Sequence, residues 1–389
     1  MPKICPFNAL MYSDAGPWDT LCCPPYDVVS EREQLALESR GPYNAIRLER
    51  PLGGEPYKTA KTRLDAWLAQ GVLRRDERAA YYMMEMDFSI NEKRYTMRGF
   101  TARMELSPFS EGRVLPHEET MSRAKADRLA LMEATGCNFS AIYGLYDDAG
   151  AAGEVLSAVS EAAPEIEFTM PDGTAHRLWR ITDVGLQGRL TAALEDTPVF
   201  IADGHHRYET ALEYRRRHGG DFVMATLVDI NDPGLVVLPT HRVVTDCDAG
   251  VPERFLKGVQ GVCGVEETEL CEPPDGAVIM YHNGRSYLFT FDGGRSAAYC
   301  GLDVAMLHGL ILEPYFGIDT LSAQNKLGFT RDAGEAVEMV DGGKGQCAFM
   351  LAATKISQIR EFSLAGEKMP QKSTYFYPKL ITGLGFNEI

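Results

Sequence analysis

The densest cluster of chemically capable side chains is Asp203-Gly204-His205-His206-Arg207. It follows a strand-length apolar run, Val199-Phe200-Ile201-Ala202, and precedes a stretch in which Tyr208, Ala211 and Leu212 recur at helical spacing. Gly204 has the backbone freedom that a sharp turn between the two requires. The pattern predicts a helix beginning at His205, whose first N–H groups find no partner inside the helix. A helix start favours anions, and an Arg beside it offers a fork that matches phosphate or carboxylate. The chemistry expected of Asp203, Gly204, His205, His206 and Arg207 is an anion cradle. The plainer reading is that Asp203 caps the helix and the histidines satisfy local hydrogen bonds. Arg215, Arg216 and Arg217 fall in the last turn, where cations suit the helix dipole, and Gly219-Gly220 stop it.

Four other segments carry reactive groups. Pro24-Pro25-Tyr26-Asp27 is a stiffened strand or loop leading to a helix start at Ser30, and Asp27 either acts catalytically or fixes the turn. His117-Glu118 lacks the second His of a zinc-protease helix, because position 121 is Met. Thr120 or Ser122 caps the helix behind it, which carries Lys125 and Arg128 three apart on one face. His241-Arg242 follows a proline on a strand, and either adds to the cradle or pairs with an acidic neighbour. In the tail from Gly366 to Leu380, residues Gly366 through Ser373 nearly spell a phosphate-binding loop, but Gln371 stands where Gly is needed, and Pro370 and the aromatic run Tyr375-Phe376-Tyr377 replace the expected helix. Its Lys372, Ser373 and Thr374 either hold a phosphate or substrate carboxylate, or belong to an edge strand.

The elements that must position these groups alternate between strand and helix patterns. Strands are expected at Asn44 to Glu49, in a meander over Tyr81 to Phe88 and Tyr95 to Leu106, and at Ala141 to Tyr146. A hairpin is expected over Glu165 to Ile181, and a strand from Phe222 to Ile230. Helical faces run through Tyr57 to Leu68, 150–162 and Leu186 to Leu194. Beyond 248 come a helix, a hairpin over 276–292 turning at Asn283-Gly284, a helix from Asp303, and an alternation of helix and strand from 334 to 362. The fold class expected is α+β, a mixed sheet with flanking helices and a smaller C-terminal α+β domain.

With 389 residues the chain suggests two or three domains. The composition breaks near 246–252. Residues 1–248 are therefore read as a mixed α/β domain, and 249–389 as a second domain whose tail (366–380) returns toward the site. A net charge of -16 opposes binding to nucleic acid or anionic lipid, so an anionic ligand must be small. Nine cysteines without a CxxC pair fit reduced thiols and a cytoplasmic setting. Neither a signal peptide nor a membrane span is expected from the apolar runs.

Pro24-Pro25-Tyr26-Asp27, His117-Glu118, Ala202 to Tyr208, Leu238-Pro239-Thr240-His241-Arg242 and Met369 to Lys379 together resemble the landmarks of domain-of-unknown-function family 1015. The central Asp-Gly-His-His-Arg is also similar to the phosphate-binding box of the ParB/sulfiredoxin superfamily, with the free-serine kinases the best match. Sulfiredoxins need a Cys where His205 stands. ParB proteins carry a Glu-Arg-Arg box and add DNA-binding helices, and this chain has neither that box nor the net charge for DNA. The resemblance implies a ParB/sulfiredoxin-like core and a nucleotide-dependent phosphotransferase acting on a small hydroxyl metabolite, serine or phosphoserine, with ATP or ADP as cofactor. On that reading Asp27, Glu118 and His206 are the catalytic candidates, and Asp203 through Arg207 with His241 and Arg242 hold the nucleotide phosphates. Lys372, Ser373, Thr374 and His117 bind the metabolite, and Asp203 orients the turn or holds Mg²⁺. Two other readings are a nucleotide-dependent partner-binding switch and a metal-dependent hydrolase using His117, His205, His206 and His241.

Overall fold

The computed structural model describes residues 2–13, 16–118, 120, 122–248, 250–259, 263–291, 301–319 and 322–389. The chain divides into two compact units. One comprises Met1–Pro116, Thr120–Val236 and Pro378–Ile389, the other His117–Glu119 and Val237–Tyr377. The fold is α+β and built on mixed pairing.

A nine-stranded sheet organises the first unit. Its order is Val114–Leu115, Val199–Asp203, Ile142–Tyr146, Phe222–Asp229, Lys93–Glu105, Tyr81–Ile90, Ala175–Ile181 and Ile166–Thr169, with Ile4–Cys5 paired to Lys93–Glu105. Val199–Asp203 runs parallel to Val114–Leu115, and Phe222–Asp229 runs parallel to Ile142–Tyr146; the other pairings are antiparallel. Val199, Ile201, Leu227, Phe100 and Met83 are completely buried on this sheet. Burying such a side chain is worth about 1.5–3 kcal/mol. That contribution, rather than local propensity, seats the polar helix His205–His218. Its Tyr208 and Ala211 enter the same core, and the Tyr208 hydroxyl both donates to the Ser107 carbonyl and accepts the Ser107 N–H.

The strand expected at Asn44 to Glu49 is instead a single helical turn, Ile46–Glu49. The cause is Asn44. Its buried side chain accepts the Ile46 N–H and donates to the carbonyls of Thr20 and Cys22, which starts a helix where the apolar run suggested extension. Ser30 caps the helix Glu31–Arg40 with a reciprocal bond to Glu33, as its position predicts. Of the two caps expected ahead of Lys125, Thr120 bonds the Glu209 carboxylate and the Ser122 side chain lies outside the described residues.

The second unit carries an antiparallel six-stranded sheet in the order Gly264–Thr268, Arg285–Thr290, Ala277–His282, Cys347–Met350, His241–Val244 and Leu327–Thr330. The hairpin turns at Asn283-Gly284, both at positive φ. The helical run from Asp303 to Phe316 contains a π segment, Leu307–Leu312, and the helix Ile356–Ala365 follows the Cys347–Met350 strand.

Candidate functional site

The strand before the motif ends in a bulge. Ile201 pairs with Gly144 and Asp203 with Tyr143, so Ala202 is an extra residue that re-aims Asp203. Gly204 then adopts φ 90 and opens the helix His205–His218. A Cβ at this position would also lie 3.0 Å from Cζ and Nε of Arg207. Glycine is required here both for the turn and for the room it leaves.

Asp203 does not cap the helix. Its Oδ2 accepts from Arg207 Nη2 at 2.9 Å, and its Oδ1 lies 3.3 Å from Lys379 Nζ. Arg207 also donates to the Ala141 carbonyl. Burial acts to raise the Asp203 pKa, but Lys379 and Arg207 outweigh it and hold the carboxyl well below the usual range. Burial likewise opposes the Arg207 charge, while Asp203, Asp27, Tyr26 and Glu49 favour it, and the net shift is upward. Within this triad two cations flank one carboxylate at a helix start, and Asp27 and Glu49 act on Arg207 as well.

Asp27 is exposed on a 3-10 turn, Tyr26–Val28, and its charge acts on both His206 and Arg207. The pKa of His206 is pushed down, chiefly by burial, which favours the neutral ring. His205 is buried in the helix face. Nearby, Lys125 and Thr120 converge on the Glu209 carboxylate at 2.6 and 2.7 Å.

Three residues that sequence reasoning did not assign join this region. Lys379 stands in the tail landmark, seven residues beyond Lys372. Glu49 is buried on the unexpected helical turn, 3.3 Å from Arg128 Nη1, and burial raises its pKa against the pull of Arg128 and Arg207. Arg128 lies over the Tyr26 ring at 4.1 Å and pairs with Asp127 at 2.6 Å. A groove of about 400 Å³ is lined by Tyr26, Tyr57, Asp127, Arg128, Arg50 and Leu52 among others. Arg128 was legible as one member of a charged helix face; Glu49 gave no signal.

The other predicted residues belong to the second unit. His117 is buried, with Nε2 2.9 Å from the Thr374 hydroxyl, and Thr374 reaches Glu118 Oε1 at 3.4 Å. Nδ1 of His241 accepts the Leu351 N–H at 3.2 Å, and burial pushes its pKa down to about 4. Lys372 is exposed at φ 58, its carbonyl accepting from Arg242, and the Ser373 hydroxyl donates to the Pro370 carbonyl. The structure thus brings Asp27 together with Asp203 through Arg207 in one unit. It brings His117, Glu118, His241, Arg242 and Lys372 through Thr374 together in the other.

Among the described residues, no group of three or more His, Cys, Asp or Glu is placed to hold a metal ion. The Mg²⁺ expected at Asp203 does not fit this arrangement, because both carboxylate oxygens already serve cations. No helix of the described residues is long and apolar enough to cross a membrane.

Among solved structures, the chain is similar to a conserved hypothetical protein from Pyrococcus furiosus at 15% identity, over 75% of this chain and 94% of that one, with TM-score 0.39. It is also similar to free serine kinase in complex with AMP at 13% identity, over 75% and 91%, with TM-score 0.39. A variant of free serine kinase in complex with ADP gives 13% identity, 75% and 91%, with TM-score 0.40. No curated protein matches. The family described as "Protein of unknown function (DUF1015)" matches residues 4–305, most of the chain, and the chain belongs to that family.

Proposed function

We propose that this chain is a nucleotide-dependent phosphotransferase that moves a phosphoryl group to or from the hydroxyl of a small metabolite, with serine and phosphoserine as the first pair to test. The observation that carries the reading is the pair of cations at the start of the 205–218 helix, where Arg207 and Lys379 flank Asp203 beside amides that face away from the helix's own carbonyls. Phosphoryl transfer depends on positioning and charge neutralisation more than on covalent chemistry. Here Arg207, Lys379 and the first helical amides hold the phosphates. Asp27, acting beside His206, takes the hydroxyl proton as the acceptor oxygen attacks phosphorus and the nucleoside diphosphate leaves.

The groove beside Tyr26 and Arg128 takes the nucleoside, and its volume of about 400 Å³ falls within the range of small-molecule sites. The overall charge of -16 favours a small ligand over nucleic acid.

The test is phosphorus NMR on the purified full chain, with ATP plus serine and, separately, ADP plus phosphoserine. Transfer in at least one direction is expected. Asp27→Asn should slow it by roughly 10²–10⁴-fold without loss of folding, since Asp27 is exposed. Absence of phosphate movement in either direction overturns the proposal.

A further inference from the structure

Arg242 lies on the strand His241–Val244 and is 1% exposed. Its Nη1 donates to the Thr240 carbonyl and its Nη2 to the Lys372 carbonyl, while Nε has no acceptor. Among the described residues no carboxylate forms an ion pair with it; Glu118 favours its charge only at longer range. A guanidinium buried without a counter-charge is an expensive arrangement, and native proteins seldom keep one.

Two more orphaned groups share this neighbourhood. The Thr240 hydroxyl is buried without a partner, and so is Nε2 of His308, whose ring feels the Arg242 charge. His308 sits on the π segment Leu307–Leu312, a helix irregularity that often accompanies function. Buried polar atoms are nearly always satisfied in folded proteins, so two of them beside an uncompensated charge call for a missing partner.

There is space for one. A cavity of about 100 Å³ is lined by Thr240, Arg242, Thr354, Lys355, Gln358 and Ser373 among others, and the ten-residue helix Ile356–Ala365 begins at its wall. Two carboxylates also line it. Asp275 is paired with Lys355, and Asp303 accepts the Gly276 N–H at 3.0 Å. The available cation is therefore Arg242. The volume corresponds to roughly three waters, the size of one phosphate or of a carboxylate on a short carbon stem. Water alone could satisfy the orphaned atoms but would leave the charge uncompensated.

We propose that this cavity of the second unit binds a small oxyanion, with Arg242 as its charge partner and the Thr240 hydroxyl and the first amides of the 356–365 helix as donors. The site stands independently of phosphoryl transfer at residue 205. The chemistry it selects is a compact anionic group, which inorganic phosphate or a simple carboxylate can supply.

The test is a thermal-shift and calorimetric titration of the full chain with inorganic phosphate and, in a second arm, with acetate. A crystal soaked in selenate, whose anomalous signal marks the ion, accompanies it. A saturable rise in melting temperature with one of the two anions is expected, as is an anomalous peak bonded to Arg242. Thr240→Val should weaken that binding roughly tenfold and Arg242→Met should abolish it. If Arg242→Met fails to fold, Thr240→Val and the crystal decide. The inference is overturned if neither anion shifts the transition, if the variants bind as the wild type does, or if the cavity holds only water. Oxyanion binding here without phosphate movement in the NMR experiment would overturn the proposed function and leave this site standing.

Discussion

Arg207 in the first unit is mostly buried and Arg242 in the second fully so, yet their charges are handled in opposite ways. Arg207 meets Asp203 at 2.9 Å, and Lys379 lies 3.3 Å from the other oxygen of the same carboxylate. Arg242 meets two carbonyls and an aromatic ring 5.7 Å away, with no ion pair among the described residues. The consequence is visible in their proton affinities. The Arg207 pKa rises, whereas burial, opposed only by distant Glu118, pushes Arg242 down to about 9. A paired cation has a counter-charge within the chain. An unpaired one points to something the polypeptide does not itself provide.

The largest expected effect comes from breaking the triad of Asp203, Arg207 and Lys379. Asp203→Ala leaves Arg207 and Lys379 facing each other without a carboxylate, and should cost about 3–5 kcal/mol in urea denaturation. A loss below about 1 kcal/mol would mean the triad is not what holds this corner. The pH dependence follows from the sign of the Asp203 shift. Its folded pKa is depressed, so its contribution is present above the unfolded value of about 3.9 and is lost as pH falls through the folded value. The advantage of wild type over Asp203→Ala should hold at neutral pH and shrink only in strong acid.

Gly204→Ala is expected to be intermediate. It forces a Cβ into a φ 90 turn and to within 3.0 Å of the Arg207 guanidinium. A loss of about 1–3 kcal/mol should result, with weaker ADP binding in calorimetry. The smallest effect is expected at Arg242. Arg242→Met removes an uncompensated charge and should change stability by less than about 1 kcal/mol, or raise it, in a buffer free of oxyanions. A large loss on replacing Arg242, comparable to that of Asp203→Ala, would erase the contrast between the two regions.

Local rules were enough for much of the first region. An apolar run, a glycine and a helical stripe predict Val199–Asp203, the turn at Gly204 and the helix from His205, because each depends on neighbours in sequence. The bulge at Ala202 was not legible, since it is defined by pairing with Gly144 and Tyr143 on another strand. Glu49 was missed because a buried Asn44 side chain turns an apolar run into a helical turn. Lys379 reaches Asp203 across 176 residues, a pairing that no periodicity encodes. At Arg242 the residue was legible as a candidate but its state was not. Whether an arginine lacks a counter-charge depends on everything packed around it.

The proposed function requires a nucleotide phosphate to lie against the opening turn of the 205–218 helix. A crystal structure of the full chain with ADP tests this most directly. The prediction is phosphate oxygens bonded to the amides of His205 to Arg207, with Arg207 and Lys379 in contact. Density for ADP elsewhere, with packed side chains closing off that helix start, would contradict it.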